Sequence, residues 1–256
     1  MEALVSVIMP SYNTGRFIGE SIESVMAQSY SEWELIIVDD CSTDDTDMVV
    51  GGYLADGRIR YLKNEKNSGT AVSRNRALRE AKGKWIAFLD SDDVWEPEKL
   101  QRQIAFMNEN GCHFTYTNYV EMDEKSQLTG REVTGPKCIT KRGMYDYCWP
   151  GCLTVMYDAE YVGLVQIADI KKNNDYAMWL QICKKADCYL FDEDLARYRR
   201  RSGSISNHSY TELIGWHYKL YREAEKRNPF AASVLTVRNV FWGVWKKVRY
   251  VRNLTT

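Results

Sequence analysis

The sequence predicts an α/β fold, with a mostly parallel central sheet carrying helices on both faces and a helical extension at the C-terminus. Three observations predict it. Short apolar runs alternate with segments whose apolar residues recur at helical spacing. Glycine, proline and N-cap residues punctuate the joins. Two of the apolar runs end abruptly in carboxylates, at Asp39-Asp40 and at Asp90-Ser91-Asp92-Asp93. Ligands of open parallel sheets bind beyond the carboxyl ends of the strands, so both acidic clusters fall where such a fold places its site.

Leu4–Met9 reads as the first strand, closed by Pro10, and Ile18, Ile22, Val25 and Met26 then mark a helix. Glu34–Val38 is a second buried strand. Ser42, Thr43 and Asp44 offer N-cap oxygens to a helix running toward Leu54. Arg58–Leu62 is a half-polar third strand, Thr70–Ala81 a helix stopped by Gly83, and Trp85–Leu89 the fourth strand. Pro97 fits a first helical turn; Leu100, Ile104 and Met107 line the helix that Gly111 ends. Beyond this the pattern loosens. Cys112–Thr117 and Leu153–Tyr157 read as strands, residues 123–151 as a long irregular excursion, and Tyr176–Ala186 as a helix opened by Asn174-Asp175. The expected organisation is a domain over 1–210, with halves at 1–110 and 111–210, and a helical extension over 211–256.

The chain has 256 residues, 45% hydrophobic and 27% charged, enough for a real core. A net charge of -1 gives no overall field favouring nucleic acid. Seven cysteines without a CxxC pair argue against zinc, and their odd number, with no signal peptide, fits a cytoplasmic location. No apolar run is long enough to span a bilayer. His113, His208 and His217 stand apart and complete no triad or metal set.

Three carboxylates within Asp90–Asp93 repel one another unless a cation sits among them, and hard oxygen ligands suit Mg²⁺ or Mn²⁺. The plain alternative is a solvated acidic turn. The second cluster, at a second strand end, favours the functional reading.

Four motifs now occur in order: Ser6-Val-Ile-Met-Pro10-Ser-Tyr12-Asn13, Val38-Asp39-Asp40-Cys-Ser42-Thr-Asp44, Asn67-Ser-Gly69 with Arg74-Asn75, and Phe88-Leu-Asp90-Ser91-Asp92-Asp93. Together they resemble family 2 glycosyltransferases of the GT-A fold, whose sheet is Rossmann-like. The likeness is close over about the first 110 residues and weaker through Asn174-Asp175 and Tyr198–Ser206. It implies that Pro10, Tyr12 and Asn13 meet a nucleotide, that Asp39 or Asp40 accepts a hydrogen bond from the base, and that Arg74, Asp90 and Ser91 lie against the nucleotide sugar. It also implies a DxD motif in which Asp92, with Asp90, binds a divalent cation, Mn²⁺ or Mg²⁺, at the diphosphate of a UDP-linked donor. Asp175 falls where the family carries its catalytic base; an inverting transferase needs one carboxylate at the acceptor hydroxyl. The plain alternative for Asp175 is an N-cap, and for Arg74 an exposed helix arginine.

Two departures stand out. Asn174 replaces the common acid before the base, and Arg201 stands where many members have histidine. Arginine cannot be a base or metal ligand, but it could clamp the diphosphate. No Gln-x-x-Arg-Trp is present, which favours transfer of one sugar per encounter. The acceptor expected is a glycan or lipid-linked sugar, as in cell-surface polysaccharide synthesis.

From Pro229 to Thr256 there is no acid, while Arg238, Lys246, Lys247, Arg249 and Arg252 sit among apolar and aromatic residues. Residues 234–252 therefore read either as a membrane-surface helix at the inner face or as a helix packed on its own domain. Two rivals remain: a haloacid-dehalogenase-like phosphatase, with Asp90 as nucleophile, and a non-catalytic sugar-nucleotide binder. The phosphatase motif belongs on a first strand with a later Gly-Asp pair, and neither condition holds.

Overall fold

The computed structural model describes residues 2–170, 172–201 and 210–254. The first half comprises β1 (Val5–Ser11), α1 (Gly15–Met26), β2 (Trp33–Asp39), α2 (Thr46–Gly51), β3 (Ile59–Lys63), α3 (Thr70–Glu80), β4 (Trp85–Phe88), a short β5 (Val94–Trp95) and α4 (Lys99–Asn110). The second comprises β6 (Phe114–Met122), β7 (Leu128–Val133), β8 (Cys138–Ile139), α5 (Lys141–Asp146), a 3-10 turn (Cys152–Thr154), β9 (Met156–Asp158), α6 (Ala159–Val162), α7 (Asn174–Ile182) and β10 (Cys188–Arg199). After it come α8 (Tyr210–Lys219), a π turn (Leu220–Ala224), α9 (Pro229–Arg249) and β11 (Val251–Asn253).

The sheet runs β11-β7-β6-β9-β4-β1-β2-β3, with β10 alongside β6. Its β3-β2-β1-β4 portion is parallel. The parallel run stops at β4, which meets β9 antiparallel; β9 and β7 both lie antiparallel to β6. The sheet is therefore mixed: its four-strand parallel run lies in the half where strand and helix alternate in sequence, and in the other half β10 lies parallel to β6.

Alternation along β1 and β2 sends successive side chains to opposite faces. Ile8, Ile36, Val38 and Phe88 pack with α3 and α7 on one face; Val7, Met9, Leu35 and Ile37 pack with α1 and α4 on the other. Each such fully buried side chain contributes about 1.5–3 kcal/mol of transfer free energy.

The structure corrects several expected boundaries. Pro10 does not close β1, because the strand continues to Ser11 and pairs with Asp39 of β2. Ile8 faces β4, and its carbonyl takes the Leu89 N–H, so Pro10, two residues on, faces the same side beyond the end of β4. Its missing N–H therefore costs no ladder bond. Gly83 does not cap α3, which ends at Glu80; a Cβ there would lie 2.6 Å from Ser6 N, so the glycine permits close approach to β1. Gly111 does cap α4 in the left-handed region, at φ 59. Pro97 lies in the turn ahead of α4, where Glu98 is the N-cap. Residues 123–151 are not irregular: β7 returns along β6, and β8 and α5 follow. The segment from 211 onward is helical, packs Leu220, Tyr221 and Ala232 into the main core, and ends by adding β11 to β7.

Candidate active site

Two loops at the carboxyl ends of β1 and β2 are stitched together. Asn13, at φ 51, donates its N–H to Ser42 Oγ (2.8 Å), and its Oδ1 accepts from the Thr43 N–H (2.8 Å). Asp44 Oδ2 accepts from Gly15 N at the start of α1, and its Oδ1 from Thr46 N at the start of α2. Of the Ser42–Asp44 oxygens, expected to cap α2, only those of Asp44 reach the helix starts, serving both α1 and α2; Ser42 Oγ holds Asn13, and the N-cap position of α2 is Asp45. Asp39 is buried and accepts from the Ser42 N–H and hydroxyl.

Asp40 is also buried, and its bonds point the other way. Its Oδ1 accepts from Asn64 Nδ2 (2.7 Å) and Ser68 N (2.9 Å), and its Oδ2 from Gly69 N (2.6 Å). Gly69 sits at φ 90, a conformation L side chains resist. Asp40 thus holds the 64–69 loop. Tyr12 is exposed at the rim, and Pro10 is buried behind it.

The second rim is joined to the first by hydroxyls. Thr14 Oγ1 meets Ser11 Oγ at 2.8 Å and donates to Ser91 Oγ at 3.0 Å. Asp90 closes the turn by accepting the Asp93 N–H at 3.0 Å. Burial, and next the neighbouring Asp90 charge, raise the Asp92 pKa against the pull of Arg201, whose Nε lies 2.7 Å from Asp92 Oδ2. Burial also drives the Asp93 pKa well above the carboxylate range, with Asp92 and Asp90 adding to it. Arg199 braces this turn from behind: its N–H donates to Asp93 Oδ1 (2.8 Å), its Nε to Asp92 O (2.7 Å), and its Nη2 pairs with Glu20 at 2.5 Å.

Arg74 is no exposed helix arginine. It is 5% exposed; Nη2 pairs with Asp90 Oδ1 at 2.5 Å and Nη1 donates to Asn174 Oδ1 at 2.9 Å. Burial is the largest single influence on the Arg74 pKa and lowers it, but Asp90, Cys152 and Asp175 together outweigh burial and raise the pKa. Asn174, in place of an acid, is thus a neutral acceptor for Arg74. Asp175 lies in the first turn of α7, but the N-cap is Asn173, at φ 57; Asp175 instead accepts the N–H of Tyr176 at 2.8 Å. Its carboxylate is partly exposed, and it raises the pKa values of Cys148 and Cys152 behind burial.

Ion pairs and hydrogen bonds therefore link Asp90 through Arg74 to Asn174, the neighbour of Asp175, and Asp92 to Arg201, while Thr14 ties Ser91 to the loops that carry Asn13 and Asp39. Ser202–Ser206 and His208 lie outside the described residues. Sequence reasoning missed Arg199, Thr14 and the bracing role of Asp40. Arg199 was visible only as one of three consecutive arginines.

Among the described residues no three His, Cys, Asp or Glu side chains converge as a metal cage. The donor set fits a divalent cation of the kind held by one or two carboxylates plus substrate phosphates: Asp92 is raised in pKa first by burial and next by the charge of nearby Asp90, both of which a bound cation would offset.

Known proteins are similar to this chain in sequence and in fold. Residues 6–151 match the family described as Glycosyl transferase family 2. A Bacillus subtilis glycosyltransferase named for teichuronic acid biosynthesis, TuaG, is 39% identical over 98% of this chain and 95% of its own. The Escherichia coli UDP-Glc:alpha-D-GlcNAc-diphosphoundecaprenol beta-1,3-glucosyltransferase WfgD is 40% identical over 82% of each chain. Among solved structures, S. aureus TarS 1-349 in complex with UDP-GlcNAc superposes with a TM-score of 0.71 at 22% identity, covering 92% of this chain and 71% of that one. The Pyrobaculum calidifontis mannosyltransferase PcManGT with GDP-Man and Mn²⁺ gives 0.66 at 15% identity, covering 97% and 74%. The phosphatase reading finds no support in these matches, and the chain belongs to glycosyltransferase family 2, with the GT-A fold.

Proposed function

We propose that the chain transfers one sugar, with inversion, from a UDP-linked donor to a lipid-linked glycan acceptor in cell-surface polysaccharide synthesis. The observation that carries this is the Arg74 bridge, which fastens the Asp90 turn of the donor rim to the α7 start bearing Asp175. Relatives named for a UDP-glucose donor, a diphosphoundecaprenol acceptor and teichuronic acid synthesis support the substrate class.

In this reading Tyr12 and Pro10 wall the base, and Asp39 and Asn13 meet the nucleoside. Asp40 acts by holding the 64–69 loop. Asp90 and Ser91 border the donor, Asp92 is the first ligand of a divalent cation, and Arg74 supplies fixed positive charge behind Asp90. A bound Mn²⁺ or Mg²⁺ would neutralise charge building on the departing diphosphate. Arg201 pairs with Asp92; with Asp92 holding a divalent cation, it would be available to meet the diphosphate. Asp175 removes the proton from the acceptor hydroxyl as it attacks the anomeric carbon.

The protein side of the acceptor points to a membrane. No helix among the described residues is long and apolar enough to cross one, but the outer face of α9 is apolar and basic, which suits peripheral contact at the inner face through residues 234–252.

Asp175→Asn is expected to leave donor binding unchanged and to slow transfer by about 10²–10⁴, the usual worth of a general base. Single-turnover kinetics with calorimetry of UDP binding checks it. Normal turnover by this variant would remove the base assignment and favour a site that only binds the sugar nucleotide.

A further inference from the structure

Helix α9 has two working faces. Outward, Phe230, Val237, Phe241, Val244, Trp245 and Val248 are all exposed, Val237 at 69% and Val248 at 76%. They recur at helical spacing along 21 residues, roughly 30 Å at the α-helical rise. From Pro229 onward the chain carries five cations and no acid, and Lys247, Arg249 and Arg252 are exposed around the end of the stripe. That charge suits an anionic lipid surface, and tryptophan and phenylalanine suit its interface.

Inward, the same helix touches both walls beside Asp175. Asn239 is buried, and its Nδ2 donates to the Tyr176 hydroxyl oxygen (3.2 Å) and the Tyr221 hydroxyl oxygen (3.4 Å). Those phenols in turn donate to Met144 O (2.7 Å) and Tyr145 O (2.9 Å). Tyr176 adjoins Asp175 and gives it an N–H. About two turns further on, Lys246 Nζ donates to Trp149 O at 2.7 Å. At Gly243 a Cβ would come within 2.9 Å of the Tyr147 ring. The loop so held runs on to Cys152, whose thiol feels Arg74, Asp90 and Asp175.

We propose that Asn239 and Lys246 are positioning residues for the acceptor side of the site, through which seating of α9 on an anionic bilayer orders the start of α7 and the 147–152 loop. This rests on the glycosyltransferase reading for its meaning, but its physical content can be tested without substrate.

The test is amide hydrogen exchange of the full chain, alone and with vesicles of phosphatidylglycerol mixed into phosphatidylcholine. Flotation with the anionic vesicles is expected, and peptides covering 144–152 and 174–178 should then exchange at least about threefold more slowly, while the Asp39–Asp44 turn is unchanged. Lys246→Met and Asn239→Leu should float equally but lose the protection. The exposed double variant Val237→Glu with Val248→Glu should lose flotation and protection together, and covers the event that an inward variant fails to fold. Flotation without protection overturns the proposal. So does failure to float, including failure accompanied by dimers in sedimentation, which would make the stripe a contact between copies. Since no donor or acceptor is present, loss of this inference leaves the proposed transfer standing, and absence of transfer leaves the exchange result intact.

Discussion

Asp40 and Lys246 each hold a loop by its backbone, one in each half of the molecule, and they do so across very different stretches of chain. Asp40 binds Asn64, Ser68 and Gly69, which return to it after a single β-α connection. Lys246 binds Trp149, 97 residues away, from a helix at the far end of the chain. The donor rim is likewise built from strand ends and the turns that follow them: Asn13 with Ser42, Thr14 with Ser91. The acceptor wall is assembled from aromatic contacts, such as Trp149 against Trp242 and Tyr250. One half carries a locally encoded rim, proposed to hold the nucleotide; the other depends on packing between segments distant in sequence.

Arg74 is where the halves meet, so its loss should do most. Arg74→Ala leaves Asp90 without its buried partner and should cost about 3–5 kcal/mol in denaturant unfolding. Arg74→Lys keeps a charge but cannot reach both Asp90 and Asn174 with a planar fork, so it should retain stability better than activity. Asp40→Asn sharpens the contrast: an amide presents a donor where Gly69 or Ser68 already donates, which should cost about 1–3 kcal/mol and weaken UDP binding. Exchange around Asn174–Tyr176 should stay as it was if the two halves are independently stitched. Gly69→Ala, at φ 90, should cost about 1–2 kcal/mol by the same measurement.

The smallest effect concerns Lys99, far from both rims. It is buried, donates to Gln103 Oε1 at 2.7 Å and lies 4.3 Å from the Trp95 ring centroid; burial lowers its pKa to about 7. Above that pH the unfolded chain holds a proton that the native chain has released, so stability rises with pH, by at most about 1.4 kcal/mol per unit. Lys99→Met should flatten that rise between about pH 7 and 8 in unfolding titrations, before the Lys246 pKa, lowered by burial to about 8, adds its own rise of the same sign.

The legible part of the molecule is the part whose contacts are local. Apolar runs bounded by Asp39 and Asp90 showed where β2 and β4 end, although β1 runs one residue past Pro10, and the sheet rule then placed both acid clusters on one side. In the second half the cues fail for physical reasons. β7 carries Gly130 at φ 71 and an exposed Leu128, so it shows no buried alternation. β10 breaks register with β6 between Phe191 and Asp194 and again before Arg197, and its Asp192-Glu-Asp stretch reads as a loop. Arg199 has no local signature, since what distinguishes it is burial against Asp93, Glu20 and the β6–β7 turn. The proposal of Asp175 as base rests on family likeness; its local surroundings, an acid in a helix's first turn, indicate an N-cap, a position that the structure assigns to Asn173.

The central claim is that the Asp39 rim and the Asp90–Asp92 rim together grip a diphosphate neutralised by a cation. Calorimetric titration of UDP, with Mn²⁺ and with chelator, into the native chain and into Asp92→Ala tests it most directly. The account predicts binding that strengthens with Mn²⁺ in the native chain and loses that dependence in Asp92→Ala. UDP binding equally tight with and without Mn²⁺, and untouched by Asp92→Ala, would contradict it.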